Sequence, residues 1–352
     1  MKIANFADVH SAIRNEFNEI SNLTGSTRLD IIVSTIDSIS DYCRDNNIPV
    51  AVCAGDIFHT RGKVGTKVYN ALFHAIKRFS EKGIDLVIIP GNHDQVDNSD
   101  YPEHSLTPFS EIEGVYILDK MGQTLEYDED VVFIGLPFSK NVDIVKGAID
   151  EITSNIDNTK KNILIAHLGV SGAVINDDYV MQDAYSLDDL KTEYFKYVVL
   201  GHYHDRQMLN HNTFYTGSPV SHKFGEDGDK GFYIVDTDKR YNVQFVAINN
   251  PRFITVEGAE VSRKQLMEYA DNGDFLRIKV EESQVDEVTS KIPSHLKYKL
   301  ELTKSFESES RVDISIGMDF EEMVSKYSDR FSGDSDVRQA GIDIIREVQE
   351  TI

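Results

Sequence analysis

Short apolar runs divided by polar turns dominate roughly the first 250 residues. KIANFAD reads as a strand. A helix follows from about Ser26 to Arg44, because Leu29, Ile32, Val33, Ile36, Ile39 and Tyr42 recur near a 3.6-residue period. VAVCAG is the next strand, and a helix from about Thr66 to Lys82 carries Val68, Leu72, Ile76 and Phe79 before Gly83 stops it. DLVIIPG is a third strand, and VVFIGL, NILIAHL, YVVLGH, TFYTG, GFYIVD and VQFVAI continue the series with short connections. The pattern predicts an α/β protein built on a two-sheet sandwich flanked by helices.

After Asn249-Asn250-Pro251 the order becomes strand FITVEG, helix Arg263 to Asp271, strand FLRIKV, helix Gln284 to Lys291 and strand YKLELT, a small βαβαβ domain. Two helices are predicted beyond a polar stretch, Asp319 to Phe331 and Ser335 to Ile352, joined by Ser332-Gly333-Asp334. Met323, Val324 and Tyr327 in the first and Ile342, Ile345 and Val348 in the second predict an αα-hairpin with exposed apolar faces. These faces either dock a partner or pack back on their own domain. The expected boundaries are 1–250, 251–304, a linker at 305–317, and a helical segment at 318–352.

Composition narrows the class. A chain of 352 residues exceeds one ordinary core, and no run of about 18 apolar residues occurs. The expected setting is the cytoplasm, with neither membrane span nor signal peptide. Two cysteines, Cys43 and Cys53, sit in a helix and a strand and give no disulfide framework. The 36 basic and 59 acidic residues leave a net charge of −23, which excludes nonspecific coating of a polyanion. Divalent cations would reverse that sign locally.

Five of the apolar runs end in residues that ligate metals: Asp8 with His10, Asp56, Asn92-His93-Asp94, His167, and His202 with His204. Carboxyl ends of parallel strands converge on one side of a sheet, so the five ends can form one pocket. Asp8 with His10 and His202 with His204 are i, i+2 pairs, and each pair can address one ion. Asp56 can bridge two ions, Asn92 offers an amide oxygen, and His167 an imidazole nitrogen. Manganese suits this mixture without thiolate, with zinc and iron as alternatives. Taken singly, each residue is also an ordinary turn, capping or structural residue.

GDIFH at 55–59, GNHD at 91–94, IAHLG at 165–169 and GHYHD at 201–205 resemble the calcineurin-like metallophosphoesterases over about residues 1–248. Within that superfamily the chain looks most like the SbcD-type double-strand-break repair nucleases, relatives of the eukaryotic Mre nuclease. GDIFHTR stands where protein phosphatases carry an Asp-Arg pair, and residues 215–236 resemble the nuclease segment after its paired histidines. The resemblance implies the metallophosphoesterase fold, a capping domain, and a helical dock for an SbcC-type SMC-like ATPase, as a homodimer within a heterotetramer. It implies one ion held by Asp8, His10, Asp56 and His204, and another by Asp56, Asn92, His167 and His202. It further implies His93 as the acid for the leaving oxygen, Asp94 as its orienter, and His59 near the substrate.

The expected activity is metal-dependent exonuclease and endonuclease cleavage of DNA in end processing and recombination. The rivals are a phosphoesterase acting on nucleotides or phosphoproteins and a non-catalytic scaffold of the ATPase complex. Arg61, Lys63 and Lys67 follow the bridging motif and either touch DNA phosphates or form a solvated face. The chain departs from the family at DVHSA, where nucleases continue His-Leu-Gly, a change that touches no ligand, and in its acidity.

Overall fold

The computed structural model describes residues 1–175, 179–180, 185–226, 228–303, 318–331 and 333–351. The linker expected at 305–317 lies outside them, as do Ser332 and Ile352. The chain opens with β1 (Lys2–Phe6), α1 (Thr27–Asp45), β2 (Val50–Cys53), α2 (Thr66–Glu81), β3 (Asp85–Ile88) and β4 (Val115–Ile117). Next come β5 (Gln123–Glu126), β6 (Val131–Leu136), α3 (Val142–Asn155), β7 (Lys161–His167), a ribbon of β8 (Val174–Ile175) and β9 (Tyr179–Val180), and β10 (Tyr197–Gly201). β11 (Gln207–Met208), β12 (Thr213–Tyr215), β13 (Gly231–Asp236) and β14 (Asn242–Ala247) complete the larger part.

Two six-stranded sheets result, ordered β14-β13-β1-β2-β3-β4 and β11-β12-β10-β7-β6-β5. β1 to β4 run parallel, as do β6, β7, β10 and β12. Strands of this kind are buried on both faces, which is why they read as unbroken apolar runs. Ile3, Val50, Val52 and Val87 of one sheet meet Phe133, Ile163, Ile165 and Val199 of the other in the sandwich core. The opposite face of the first sheet receives α1 and α2 through Leu29, Ile36, Leu72, Ile76 and Phe79. Val145 and Ile149 of α3 cover the second sheet over Ile134, Leu164 and Val198.

The predicted helix limits shift by a residue or so, and α1 is fixed by its cap: the Ser26 hydroxyl accepts from the Leu29 amide at 3.3 Å. The apolar pattern does not reveal α3, β4, β5 or the two-residue strands β8, β9 and β11. α3 is rich in β-branched residues and contains Gly147, so its period is masked; its Asn141 cap is the readable signal. β4 has only three residues, and β5 is a polar edge strand.

The βαβαβ pattern is present as β15 (Phe253–Glu257), α4 (Arg263–Asp271), β16 (Phe275–Val280), α5 (Val285–Lys291) and β17 (Lys297–Leu302). Leu266, Leu276, Ile278 and Val288 form its own small core. Phe253 and Phe275 pack on Phe17, and the Arg28 guanidinium lies 4.6 Å over the Phe253 ring. Residues up to Glu301, apart from Glu281–Ser283, share one compact unit with the sandwich. Glu281–Ser283 and Leu302–Ile352 make a second unit. It contains α6 (Phe320–Phe331) and α7 (Ser335–Thr351), clamped by the Arg346–Glu321 and Arg338–Asp329 ion pairs.

Candidate metal centre

β1, β2 and β3 are neighbours in one sheet and β7 and β10 in the other, so their carboxyl ends deliver all the predicted donors to one seam. Gly201 pairs with His167 in register. Hydrogen bonds cross between the sheets here: the His202 amide donates to both Asp8 oxygens at 3.1 and 3.0 Å, and His167 Nδ1 donates to the Ala54 carbonyl at 2.8 Å. Asp8, Asp94 and His167 are fully buried, with Asp56 and His10 nearly so. His59, Asn92, His93, His202 and His204 are half-buried and form the accessible side.

The donors converge closely. Asp8, His10 and His204 offer ligand atoms within 4.8 Å of one another, and so do Asp8, Asp56 and His167. Asp56 Oδ2 lies 3.5 Å from His10 Nε2 and 3.4 Å from His167 Nε2, between imidazoles assigned to different ions. His10 and His204 direct their Nε2 atoms at each other across 3.0 Å. Asn92 Oδ1 stands 3.0 Å from His167 Nε2 and 3.2 Å from His202 Nδ1. This set fits divalent cations: imidazole nitrogens, carboxylate oxygens and one amide oxygen, without thiolate, point inward at spacings within reach of a shared ion. Among the described residues, buried His10 Nδ1 has no hydrogen-bond partner.

Backbone geometry was bent to achieve this. Asp8, His10, Asp56 and His202 all have positive φ, at 56°, 45°, 56° and 110°. Such left-handed residues cost roughly 1 kcal/mol or more each and persist where surroundings over-determine them, typically at functional sites. Gly55, at φ 93°, has no room for a side chain, since a Cβ there would sit 2.5 Å from His167 Nδ1.

Carbonyl oxygens and carboxylates only accept, so they decide the tautomers. Ala54 holds one proton of His167 on Nδ1, so Nε2 is the nitrogen that turns inward as a lone pair once the ring is neutral. Glu226 does the same for His204, accepting from Nδ1 at 2.9 Å through Oε1. Its other oxygen accepts the His222 amide at 2.9 Å, and Lys230 Nζ lies 3.7 Å away. Neither Glu226, Lys230 nor His222 was identified from sequence. Glu226 lies in the polar run GEDGDKG, where nothing but its position between glycines distinguishes it.

His93 Nδ1 is 2.6 Å from the His59 carbonyl, so that carbonyl, not Asp94, orients the ring. The sequence expectation for Asp94 is corrected here. Its carboxylate accepts from the Gly91, Ile57 and Phe58 amides at 3.0, 3.3 and 2.9 Å and staples the two ligand loops together. The His93 amide donates to Asp56 Oδ1 at 2.8 Å. His59 stacks on His93 with centroids 5.3 Å apart, and His10 lies 4.8 Å from His93. Arg61 donates to Asn98 at 2.8 Å, whereas exposed Lys63 and Lys67 form no ion pair among the described residues.

Electrostatics follow from burial and mutual charge. Burial, helped by Asp56, raises Asp8 to about 6 and Asp94 to about 7. Burial would raise Asp56 too, but His167 and His10 hold it far below the ordinary range. Burial opposes the charge on His167, yet Asp56 prevails and lifts it to about 9. His10, His59 and His202 are driven down by burial, His59 and His202 to about 4, and so stay neutral near pH 7. For His204 the Glu226 bond outweighs burial and raises the value.

Residues 1–206 match the family described as calcineurin-like phosphoesterase. The SbcD subunit of nuclease SbcCD from Staphylococcus epidermidis is 26% identical over 283 residues, 73% of this chain and 72% of that protein. Exonuclease subunit 1 of Enterobacteria phage T4 is 24% identical over 332 residues, 93% of this chain and 89% of its own. DNA double-strand break repair protein Mre11 of Methanopyrus kandleri is 25% identical over 317 residues, 83% of this chain and 65% of that protein.

Proposed function

The chain belongs to the calcineurin-like phosphoesterase family, and from that premise we propose that it is a two-metal nuclease hydrolysing DNA phosphodiester bonds as exonuclease and endonuclease. The observation that carries the reading is the meeting of five strand ends on Asp56, with His93 beside them. The DNA target draws support from likeness to the phage exonuclease subunit and the SbcD subunit, which extends well beyond residue 206.

In this reading Asp8, His10, Asp56 and His204 hold one ion, and Asp56, Asn92, His167 and His202 the other, with manganese favoured by the mixed oxygen and nitrogen donors. Bound divalent cations supply Lewis-acid activation of water and of the phosphate. The chain's own residues do the rest. Asp56 divides its charge between the two imidazole sets. His93, anchored at Nδ1 by the His59 carbonyl, presents Nε2 to the leaving sugar oxygen and gives it a proton. His59 lines the approach of the substrate, and Arg61, Lys63 and Lys67 contact DNA phosphates farther out.

Residues 1–250 form the nuclease domain and 251–304 the capping domain. The helices of 318–352 take an SbcC-type SMC-like ATPase in a groove of about 400 Å³ lined by Met323, Val324, Tyr327, Phe331, Val337 and Gly341. The assembly is a heterotetramer around a nuclease homodimer, acting on DNA in the cytoplasm. Among the described residues, no helix is long and apolar enough to cross a membrane.

The test is digestion of linear duplex and hairpin DNA with Mn2+, run beside a small phosphodiester. Cleavage of DNA that His93→Asn abolishes while Mn2+ binding persists supports the reading. Hydrolysis of the small diester alone overturns the DNA assignment.

A further inference from the structure

One cation beside the centre lacks the anion its setting calls for. Arg14 is half-buried, and its Nη1 stands 3.1 Å from His59 Nε2. A guanidinium has donors only, so His59 Nε2 must accept and is a poor counterweight to a full charge. Arg14 Nε is buried without a partner, and Arg14 forms no ion pair among the described residues. Glu226 attracts it from a distance, but both Glu226 oxygens are bound to His204 and the His222 amide.

Arg28 next door shows what a structural arginine looks like here. It donates to the Glu16 and His222 carbonyls at 3.2 and 3.3 Å and spreads over Phe253 and Phe275. A half-buried charge left unpaired is costly, whereas a planar fork of donors matches phosphate oxygens two at a time. Position identifies the ligand. The His59 ring is 5.4 Å from His10 and 5.3 Å from His93, and Arg14 Nη1 touches His59, one side chain removed from the metal-site residues.

We infer that Arg14, with His59, forms a phosphate subsite that grips the backbone phosphate next to the one being cleaved. The inference rests on the nuclease reading above and adds the subsite that distinguishes a polynucleotide from an isolated phosphodiester. It also supplies local positive charge to a chain whose net charge is −23. Without it, the phosphate contacts away from the scissile position would be left to Arg61, Lys63 and Lys67 farther out.

Full-length protein carrying Arg14→Gln or Arg14→Lys tests this. The readouts are KM and kcat on a short single-stranded oligonucleotide and on bis(p-nitrophenyl) phosphate, oligonucleotide binding by fluorescence anisotropy over a salt series, and Mn2+ affinity by calorimetry. Arg14→Gln should raise oligonucleotide KM and Kd roughly tenfold, several times more than any change on the single-phosphate diester. The slope of log affinity against log salt should fall by about 0.7, and Arg14→Lys should recover part of the affinity. An unchanged oligonucleotide Kd and salt slope overturns the subsite, as does an equal loss on both substrates or a loss of Mn2+ affinity. If the unsubstituted protein binds the oligonucleotide but never cleaves it, the nuclease reading falls. The subsite is still decided by the anisotropy series.

Discussion

Replacing Glu226 by glutamine changes one oxygen to an amide nitrogen and leaves every metal donor in place. The carboxylate accepts on both sides, from His204 Nδ1 at 2.9 Å and from the His222 amide at 2.9 Å. Glutamine has one acceptor, so one of those donors must face an NH2 group. With the NH2 toward His204, the ring carries its proton on Nε2 instead, the nitrogen directed at His10 and needed for ligation. With the NH2 toward His222, a buried amide loses its acceptor, at about 1–3 kcal/mol. Losses of this outer kind reduce metal affinity by roughly 10- to 100-fold, equivalent to about 1.4–2.7 kcal/mol. Titration calorimetry of chelator-stripped protein with Mn2+ should record that weakening with the fold intact by circular dichroism. A Kd within about twofold of the unsubstituted protein would refute the role assigned to Glu226.

Three further outcomes are expected. Mn2+ at about 100 times its Kd should stabilise the protein by about 2.7 kcal/mol, seen as a melting temperature higher by roughly 5 °C or more; no shift means that the donors do not bind the ion. In metal-free protein Asp8, Asp94 and His167 titrate above their ordinary values, at about 6, 7 and 9. The stability they contribute is complete below the unfolded values and lost as pH rises through the folded ones, while depressed Asp56 and Glu226 lose theirs only on the acid side. The depressed His10, His59 and His202 act in the opposite sense, but only up to about pH 7. The melting temperature of stripped protein should therefore fall between about pH 7 and 9, whereas Mn2+ affinity rises because His167 must shed its proton; a melting temperature that climbs across this range contradicts the assignment. Gly55→Ala should cost about 2–4 kcal/mol in denaturant unfolding, from φ strain and the clash with His167; a loss under about 1 kcal/mol would mean that the loop has room to yield.

Sequence carried the strand ends well and their outer attachments poorly, for a physical reason. Buried parallel strands must be apolar throughout, so VAVCAG and NILIAHL announce themselves, and a ligand at a strand end or within four residues past it has its place set by topology. α3 escaped because VDIVKGAIDEITSN has as many β-branched residues as a strand. Glu226 and Arg14 lie on loops, where no period constrains a side chain and only folded contacts give it a role. The motif also misled at Asp94, whose adjacency to His93 suggested a partnership, whereas its backbone bonds turn its carboxylate toward Gly91, Ile57 and Phe58. The chain's departure at DVHSA spared every ligand, yet it is followed within a few residues by Arg14.

The bonds from His202 to Asp8 and from His167 to Ala54 stitch one sheet to the other at the place where the donors meet. Drifting apart of the layers would therefore pull the coordinating atoms out of reach before any loop melted. Ion affinity in such an arrangement reports on the integrity of the whole sandwich, and substitutions deep between the layers, at Val52 or Ile165 for instance, belong among those that tune it.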